Sequence, residues 1–273
     1  MTRTKLVTTC ATTLFVALSL VACDQGSGSS FARKSTTTSS QQSPVDDGTS
    51  SNGEENDLTD DADTGDTGDT TGQPAPALSA VDINAARTAL GSLPTRGFSP
   101  NVPKYDRNEF GKPWSDDVTV DGGHNGCDTR NDILARDLTD VEFKPAKRNC
   151  IVTKGKLNDP YTNTTIDFKR GRKSSDLIPI DHVVALGDAW YSGAYQWDAD
   201  RRRNFANDPI NLQATNRESN TQKSAKNAAE WLPPNTAYQC EYVGRQITIK
   251  STYGLSVTPA EKNAMEKVLA TCS

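Results

Sequence analysis

The chain is organised around the sequence Ile-Pro-Ile-Asp-His-Val-Val, which occupies residues 178–184. His182 is one of only two histidines in the chain, and it follows Asp181 directly. The apolar residues on both sides of this pair predict a β-strand, followed by a helix over residues 185–191. An imidazole can take a proton from water near neutral pH, and a neighbouring carboxylate can bind a cation. The pair is therefore typical of a site that activates water beside a metal ion.

Three polar residues follow downstream at defined spacing, namely Asn211, Asn220 and Lys223. Residues 210–214 predict a second short strand, and residues 219–231 predict a helix that ends before two consecutive prolines. Asn220 and Lys223 are three positions apart, so on a helix they share one face. The predicted order around the Asp-His pair is therefore strand, inserted helix, strand and helix.

The other elements predict a mixture of helices and small strands. Apolar and β-branched residues predict strands at residues 150–153, 164–168 and 247–249. The sequence Thr-Pro-Ala-Glu at residues 258–261 combines a capping residue, a proline at the first helical position and an acid two positions later, which predicts the start of the last helix. The expected fold class is α+β.

The N-terminus has the features of an export signal. Arg3 and Lys5 form a basic start, and the apolar run over residues 11–21 is too short to span a bilayer comfortably. The run leads into Leu-Val-Ala-Cys, which ends at Cys23 and resembles the signal of bacterial lipoproteins. That resemblance implies removal of residues 1–22 and lipidation of Cys23, and an ordinary signal peptide is the alternative. We therefore expect a lipid anchor on the extracytoplasmic face of the cell membrane, or release to the medium.

A low-complexity segment separates this signal from the rest of the chain. Residues 23–77 are rich in Ser, Thr, Gly and Asp and predict a disordered tether. The tether contains 11 acidic and two basic residues, which is a net charge of −9. Because the whole chain carries −5 and the signal +2, residues 78–273 carry a net charge of +2. A mildly basic domain permits nucleic-acid binding but does not require it.

Four cysteines remain after Cys23, and an even number in an exported chain predicts two disulfides. Of the three possible pairings, we favour Cys127–Cys150 with Cys240–Cys272, because neighbours in sequence pair most simply. A zinc site is the rival interpretation, but the sequence contains no Cys-x-x-Cys pair.

Several further short motifs lie between residues 124 and 254. They are Gly126–Arg130, Asp159–Tyr161, Trp190, Gly193-Ala194, Phe205–Asp208 and Glu230–Pro234. Together with the Asp-His, Asn-Leu and Asn-x-x-Lys elements, they resemble the HNH endonucleases, and in particular the branch with a GmrSD C-terminal-like (DUF1524-type) domain. The resemblance implies a ββα-metal (His-Me finger) core within an α+β domain over residues 78–273.

The resemblance also implies a role for each residue of the constellation. His182 would be the general base, with Asp181 and Asn220 as metal ligands. Their hard oxygen atoms suit Mg²⁺, or Mn²⁺, better than zinc. Asn211 would be the middle asparagine that fixes the histidine through a hydrogen bond, and Lys223 could touch a phosphate.

Two other asparagines compete for these roles. Asn207 is the alternative to Asn211 as the middle residue, and Asn216 is the alternative to Asn220 as the ligand. The interval from His182 to Asn211 is long, so it must hold an inserted helix.

A basic cluster precedes the predicted catalytic strand. Lys169, Arg170, Arg172 and Lys173 could bind nucleic-acid phosphates, where each neutralised phosphate adds salt-dependent affinity. A solvated hairpin turn is the alternative. The second histidine, His124, lies in a turn-rich sequence and is interpreted as a surface residue.

The expected function is hydrolysis of DNA, or RNA, by an extracytoplasmic, metal-dependent HNH endonuclease of low sequence specificity. Nucleic acid is the expected partner, the membrane is contacted only through the lipid anchor, and no protein partner is evident. The second hypothesis is a non-catalytic cell-surface lipoprotein, a binding module on the same fold.

Overall fold

A computed structural model of the chain describes residues 80–145, 149–171 and 174–273. The predicted signal peptide, the tether and Cys23 lie outside the described residues. Of the helices within those ranges, none has the length and apolar character needed to cross a membrane.

The described residues form seven α-helices and five strands. The helices are α1 (Ile83–Ser92), α2 (Thr129–Asp137), α3 (Leu186–Tyr191), α4 (Ala199–Asn207), α5 (Arg217–Lys223), α6 (Gln239–Tyr253) and α7 (Pro259–Leu269). The strands are β1 (Leu138–Phe143), β2 (Val152–Asp159), β3 (Thr164–Lys169), β4 (Ile180–His182) and β5 (Leu212–Ala214). Short 3-10 helices lie at Arg107–Phe110, Ser175–Leu177, Ala194–Gln196, Pro209–Asn211 and Thr236–Tyr238. The predicted α+β class is confirmed.

The strands form two separate antiparallel sheets. One sheet has the order β1-β2-β3, and the other pairs β4 with β5. In the second sheet Asp181 lies opposite Gln213 and His182 lies opposite Leu212. The chain between β4 and β5 holds α3 and α4, and α5 follows directly after β5. The predicted order of strand, inserted helix, strand and helix is therefore correct, with one additional helix in the insertion.

Helix α5 is shorter than the sequence predicts. Asn216 caps its N-terminus by accepting a 2.8 Å hydrogen bond from the Ser219 backbone N–H. The helix ends at Lys223 because Ser224 adopts a positive φ of 49°, which helical residues do not. The prediction of a helix that continues to Trp231 is wrong for this reason.

Two groups of buried side chains form the core. The larger group joins α1, α3, α4, α6 and α7, and the smaller group lies around α2, the three-stranded sheet and the β4–β5 pair. The predicted strand at residues 247–249 is wrong, because these residues lie inside α6. Ile247 and Ile249 are both buried, as are most of their helical neighbours. A helix that is buried on nearly all sides shows no apolar stripe of helical period. The alternating apolar residues at 247–249 therefore suggested a strand where the chain is helical.

Both predicted disulfides are confirmed. Cys127–Cys150 has a Cα–Cα distance of 5.2 Å, and Cys240–Cys272 has one of 5.8 Å. The first connects the start of α2 with the chain that enters β2. The second joins the start of α6 to the C-terminus, where α7 has ended.

Candidate active site

His182 ends β4, and its side chain is buried. Its Nε2 lies 2.8 Å from the backbone oxygen of Ala206. Because a carbonyl oxygen can only accept, Nε2 carries the proton and donates, and the lone pair of the neutral ring resides on Nδ1. The contact fixes both the orientation of the imidazole and its tautomer, as a general base requires.

The surroundings of His182 favour the neutral form of the ring. Burial is the main cause that lowers the pKa of His182 to about 3, and the positive charge of Arg107 is the next largest. Lys223 contributes a smaller effect in the same direction. The Ala206 carbonyl acts in the opposite direction but does not offset them. In the free protein the imidazole is therefore unprotonated at neutral pH and able to accept a proton.

Trp114 covers one face of the imidazole. The two rings are nearly parallel, at 13°, with their centroids 6.1 Å apart. Trp114 has a positive φ of 57°, an uncommon backbone conformation for a bulky side chain. Such strain persists only where the surroundings hold it, and Trp114 packs against the smaller core. The tryptophan thus helps to exclude water from His182, which is consistent with burial as the main cause of the lowered pKa.

A small cleft, partly open to solvent, lies in front of His182. Six of its ten lining residues belong to residues 107–114, which we call the 107–114 segment. Asn207, at the end of α4, also lines the cleft. Its Nδ2 donates to the Arg203 backbone oxygen, whereas its buried Oδ1 has no hydrogen-bond partner among the described residues. A buried acceptor without a partner is uncommon in a folded protein.

Asp181 points away from this cleft into the interior. Its Oδ1 lies 3.0 Å from Lys223 Nζ, and its Oδ2 accepts a 2.7 Å hydrogen bond from the Tyr161 hydroxyl. Asp181 and Lys223 are both buried, and neither lines the cleft. Lys223 Nζ also donates to the His182 backbone oxygen at 2.7 Å.

The prediction that Lys223 touches a phosphate is therefore wrong. Lys223 is fully buried and acts as the counter-ion of Asp181. A lysine at this depth needs a carboxylate partner, because an unpaired buried charge is costly. Its other contact supports the backbone of His182, so Lys223 is a positioning residue rather than a group that could meet substrate.

Asn211 fixes the chain after His182 rather than the imidazole. Its Oδ1 accepts from the Val184 backbone N–H at 2.9 Å, and its Nδ2 donates to the Val184 oxygen at 3.3 Å. The Asn211 backbone oxygen also accepts from the Val183 N–H at 2.8 Å. Asn211 therefore lies beside the strand that carries His182, but the predicted hydrogen bond to the histidine side chain is absent from the contacts of these described residues.

The two candidate asparagines of α5 differ in their availability. Asn216 donates from its side-chain nitrogen to Asp159 and accepts with its oxygen at the helix N-terminus, so both ends of its amide are used. Asn220 is half-buried on the same helix, and within the described ranges its side chain has no hydrogen-bond partner. Asn220 therefore remains the better candidate for a ligand, although it does not line the cleft of His182.

The two ligands that the sequence predicts, Asp181 and Asn220, are too few to enclose a cation. The described part of the chain contains no group of three or more His, Cys, Asp or Glu side chains that could hold a metal ion. Asp181 and Asn220 offer one carboxylate and one amide oxygen, which suits Mg²⁺ with most of its waters retained. The Asp181 oxygens already have partners in Lys223 and Tyr161, so a cation there would share the carboxylate with Lys223.

The basic cluster is only partly available for nucleic acid. Arg170 donates to the Val152 backbone oxygen at 2.8 Å and to Asn131 Oδ1, and these bonds tie β2 to α2. Arg170 is exposed, but two of its donors serve the fold, and its phosphate-binding role stays a prediction. Lys169 is exposed at the end of β3, and Arg172 and Lys173 lie outside the described residues.

The 107–114 segment supplies site residues that the sequence interpretation missed. Arg107, Lys112 and Trp114 line the cleft beside His182. The segment is a loop with one 3-10 turn, and its local composition is that of an ordinary surface connection. No periodicity or spacing in the sequence signals that it lies against His182.

Comparisons with known proteins point to one family. Residues 128–268 match the family described as "GmrSD restriction endonucleases, C-terminal domain". The chain is also 37% identical over 203 residues to a protein of Arthroderma benhamiae described as "Uncharacterized secreted protein". That alignment covers 73% of this chain and 92% of the relative. No solved structure matches. The family match includes β4, β5 and α5 but begins after the 107–114 segment.

Proposed function

Because the chain belongs to the family of the GmrSD restriction endonuclease C-terminal domain, we propose that it is a metal-dependent endonuclease with His182 as its general base. The observation that carries the proposal is the state of His182. Its Nε2–H is held by the Ala206 carbonyl, and its lone pair on Nδ1 is free of a protein donor among the described residues. A neutral, oriented imidazole beside a cleft is the equipment for deprotonating water.

The arrangement of β4, β5 and α5 supports a ββα-metal core. The two strands pair antiparallel, and the helix contacts the end of β4 through Lys223. In this proposal Asp181 and Asn220 hold a divalent cation, most readily Mg²⁺, or Mn²⁺ in its place. When bound, the cation supplies stabilisation of the negative charge that develops on the phosphate. Lys223 keeps the Asp181 carboxylate in position.

The proton balance follows from the geometry of His182. A water proton passes to Nδ1 while the water oxygen forms a bond to phosphorus and the bond from phosphorus to the leaving oxygen breaks. The imidazolium that forms is stabilised by the Ala206 carbonyl at Nε2. In the free protein the pKa of His182, at about 3, makes the ring a weak base. A phosphodiester bound beside the ring favours the charged form and raises this pKa.

Export is part of the same proposal. The related protein is described as secreted, and the two disulfides form and persist in oxidising compartments. We place the enzyme outside the cytoplasm, and we retain lipidation at Cys23 as a proposal. Incorporation of a radiolabelled fatty acid into the full chain, and its loss in Cys23→Ser, tests the anchor.

The ion pair of Asp181 favours a second candidate, the non-catalytic binding module. Both Asp181 oxygens already have partners, as expected for a structural carboxylate. Nicking of supercoiled plasmid separates the two candidates. The nuclease proposal predicts relaxed circles with Mg²⁺ and none with EDTA, with activity restored by excess Mg²⁺. A protein that binds plasmid but leaves it supercoiled with Mg²⁺ and with Mn²⁺ is the binding module.

A further inference from the structure

The 107–114 segment is held firmly against the site although it lies before the region that matches the family. Phe110 is buried and contacts Trp190 and Phe205, with a ring centroid distance of 6.2 Å in both cases. Asp106 caps the 3-10 turn by accepting from the Asn108 N–H at 2.9 Å. At the other end Trp114 lies over His182. Both ends of the segment are therefore fixed, and its backbone holds Arg107 and Lys112 at the cleft.

The lining of the cleft carries positive charge only. Arg107 and Lys112 are its two charged residues, and no carboxylate is among the ten residues that line it. Within the described ranges neither cation has an ion-pair partner. Glu109, the acidic residue between them, instead pairs with Arg202 at 2.9 Å.

Two cations that lack ion-pair partners and line one cleft attract an anion to it. Arg107 lines the same cleft as His182. A guanidinium offers paired donors that match two oxygens of one phosphate, and an ammonium adds a mobile point charge.

We propose that Arg107 and Lys112 bind the phosphate group of the nucleic-acid strand beside His182, so that the 107–114 segment is the phosphate-binding wall of the site. This inference rests on the proposed function, since it names the substrate contact of the same cleft. It assigns the contact to a part of the chain outside the family match. Asn207, whose buried Oδ1 lacks a partner among the described residues, lines the same cleft.

The test measures binding without turnover. In the His182→Ala background, the Arg107→Ala/Lys112→Ala variant of the full chain is titrated against a fluorescein-labelled 20-base-pair DNA duplex in EDTA, at several salt concentrations. We expect binding at least about tenfold weaker than in the His182→Ala parent. We also expect the salt slope to decrease in magnitude by about 0.9, the contribution of the one phosphate that the two side chains neutralise.

The matched control is Lys262→Ala/Lys267→Ala. It removes the same charge from α7, where neither lysine has an ion-pair partner in the described part of the chain. We expect its affinity to stay within about twofold of the parent. The charge-preserving variant Arg107→Lys/Lys112→Arg should recover most of the affinity and the salt slope. Thermal unfolding of each variant excludes loss of fold as the cause.

The possible failures are distinguishable. If Arg107→Ala/Lys112→Ala binds DNA with the affinity and salt slope of the control, or if the parent does not bind DNA, the inference is overturned. Plasmid nicking by the chain with His182 intact decides the proposed function separately. Nicking with unchanged KM in Arg107→Ala/Lys112→Ala would leave the nuclease standing and remove the phosphate-binding wall. DNA binding that depends on Arg107 and Lys112 without any nicking would support the phosphate-binding wall and contradict the nuclease proposal.

Discussion

Replacement of Lys223 by methionine removes the positive charge that faces Asp181 in the interior. The two groups are buried and 3.0 Å apart, so their attraction is about 5.5 kcal/mol at an effective dielectric constant of about 20. The substitution also leaves the His182 carbonyl without the 2.7 Å hydrogen bond from Nζ. Breaking a buried pair from one side typically costs about 3–5 kcal/mol, because the remaining charge stays buried and uncompensated. We expect Lys223→Met to lose free energy of unfolding within this range.

Urea unfolding followed by circular dichroism measures the loss, and a double-mutant cycle assigns it. Asp181→Asn removes the carboxylate while retaining an acceptor for Tyr161. The double variant should therefore be less destabilised than the sum of the single variants, by about 2–3 kcal/mol. The matched control is Lys226→Met, an exposed lysine near the same helix end, with an expected cost within about 0.5 kcal/mol. A loss below about 1 kcal/mol for Lys223→Met, or strict additivity in the cycle, would refute the buried ion pair.

Three further predictions concern stability. The pKa of His182 is about 3 in the folded chain, so between pH 7 and 5 only the unfolded chain gains a proton there. Over this range the free energy of unfolding, measured in urea, should fall by about 2 kcal/mol more in wild type than in His182→Gln. Equal decreases in the two proteins would contradict the burial of the ring. The pH dependence of stability has the opposite sign at Asp132, because burial raises its pKa to about 7 and the folded chain keeps the proton. The free energy of unfolding of wild type relative to Asp132→Asn should therefore fall as the pH rises from 4 to 7. A difference that does not change with pH would count against this prediction. Replacing Cys240 and Cys272 with serine opens a loop with a sequence separation of 32 residues and should cost about 3–4 kcal/mol in urea unfolding, whereas no change in the midpoint would show that the crosslink is dispensable.

Features of local sequence predicted much of the secondary structure around the candidate site correctly. The Asp-His pair lies at the end of a strand, a second strand pairs with it, and a helix carrying Asn220 and Lys223 follows. The disulfide pairing was predictable because each cysteine pairs with its neighbour in sequence, and this rule needs no knowledge of the fold. Chain order and spacing are sufficient for these features.

The side chains were harder to predict because burial depends on the whole fold. Three-residue spacing puts Asn220 and Lys223 on one face of a helix, but it does not indicate how deeply that face is buried. Lys223 lies at the end of α5 where it meets β4, so the predicted phosphate ligand became a buried counter-ion. A similar limitation applies to Arg170, whose basic neighbours suggest a phosphate-binding patch although two of its own donors serve the fold.

The 107–114 segment shows the limit of local patterns most clearly. Its contact with His182 joins two parts of the chain that are far apart in sequence, through the rings of Trp114 and His182. The positive φ of Trp114 is likewise a tertiary effect that no propensity predicts. The local sequence of this segment indicates only a loop rich in polar residues.

The central claim is that His182 accepts the proton of the attacking water, and a single-turnover cleavage rate tests it most directly. The rate is measured on a labelled DNA duplex with saturating enzyme and Mg²⁺. His182→Ala should lower it by at least about 100-fold, as loss of a general base does. The exposed histidine provides the matched variant, His124→Ala, which should stay within about twofold of wild type. A wild-type rate retained in a folded His182→Ala protein would contradict the claim.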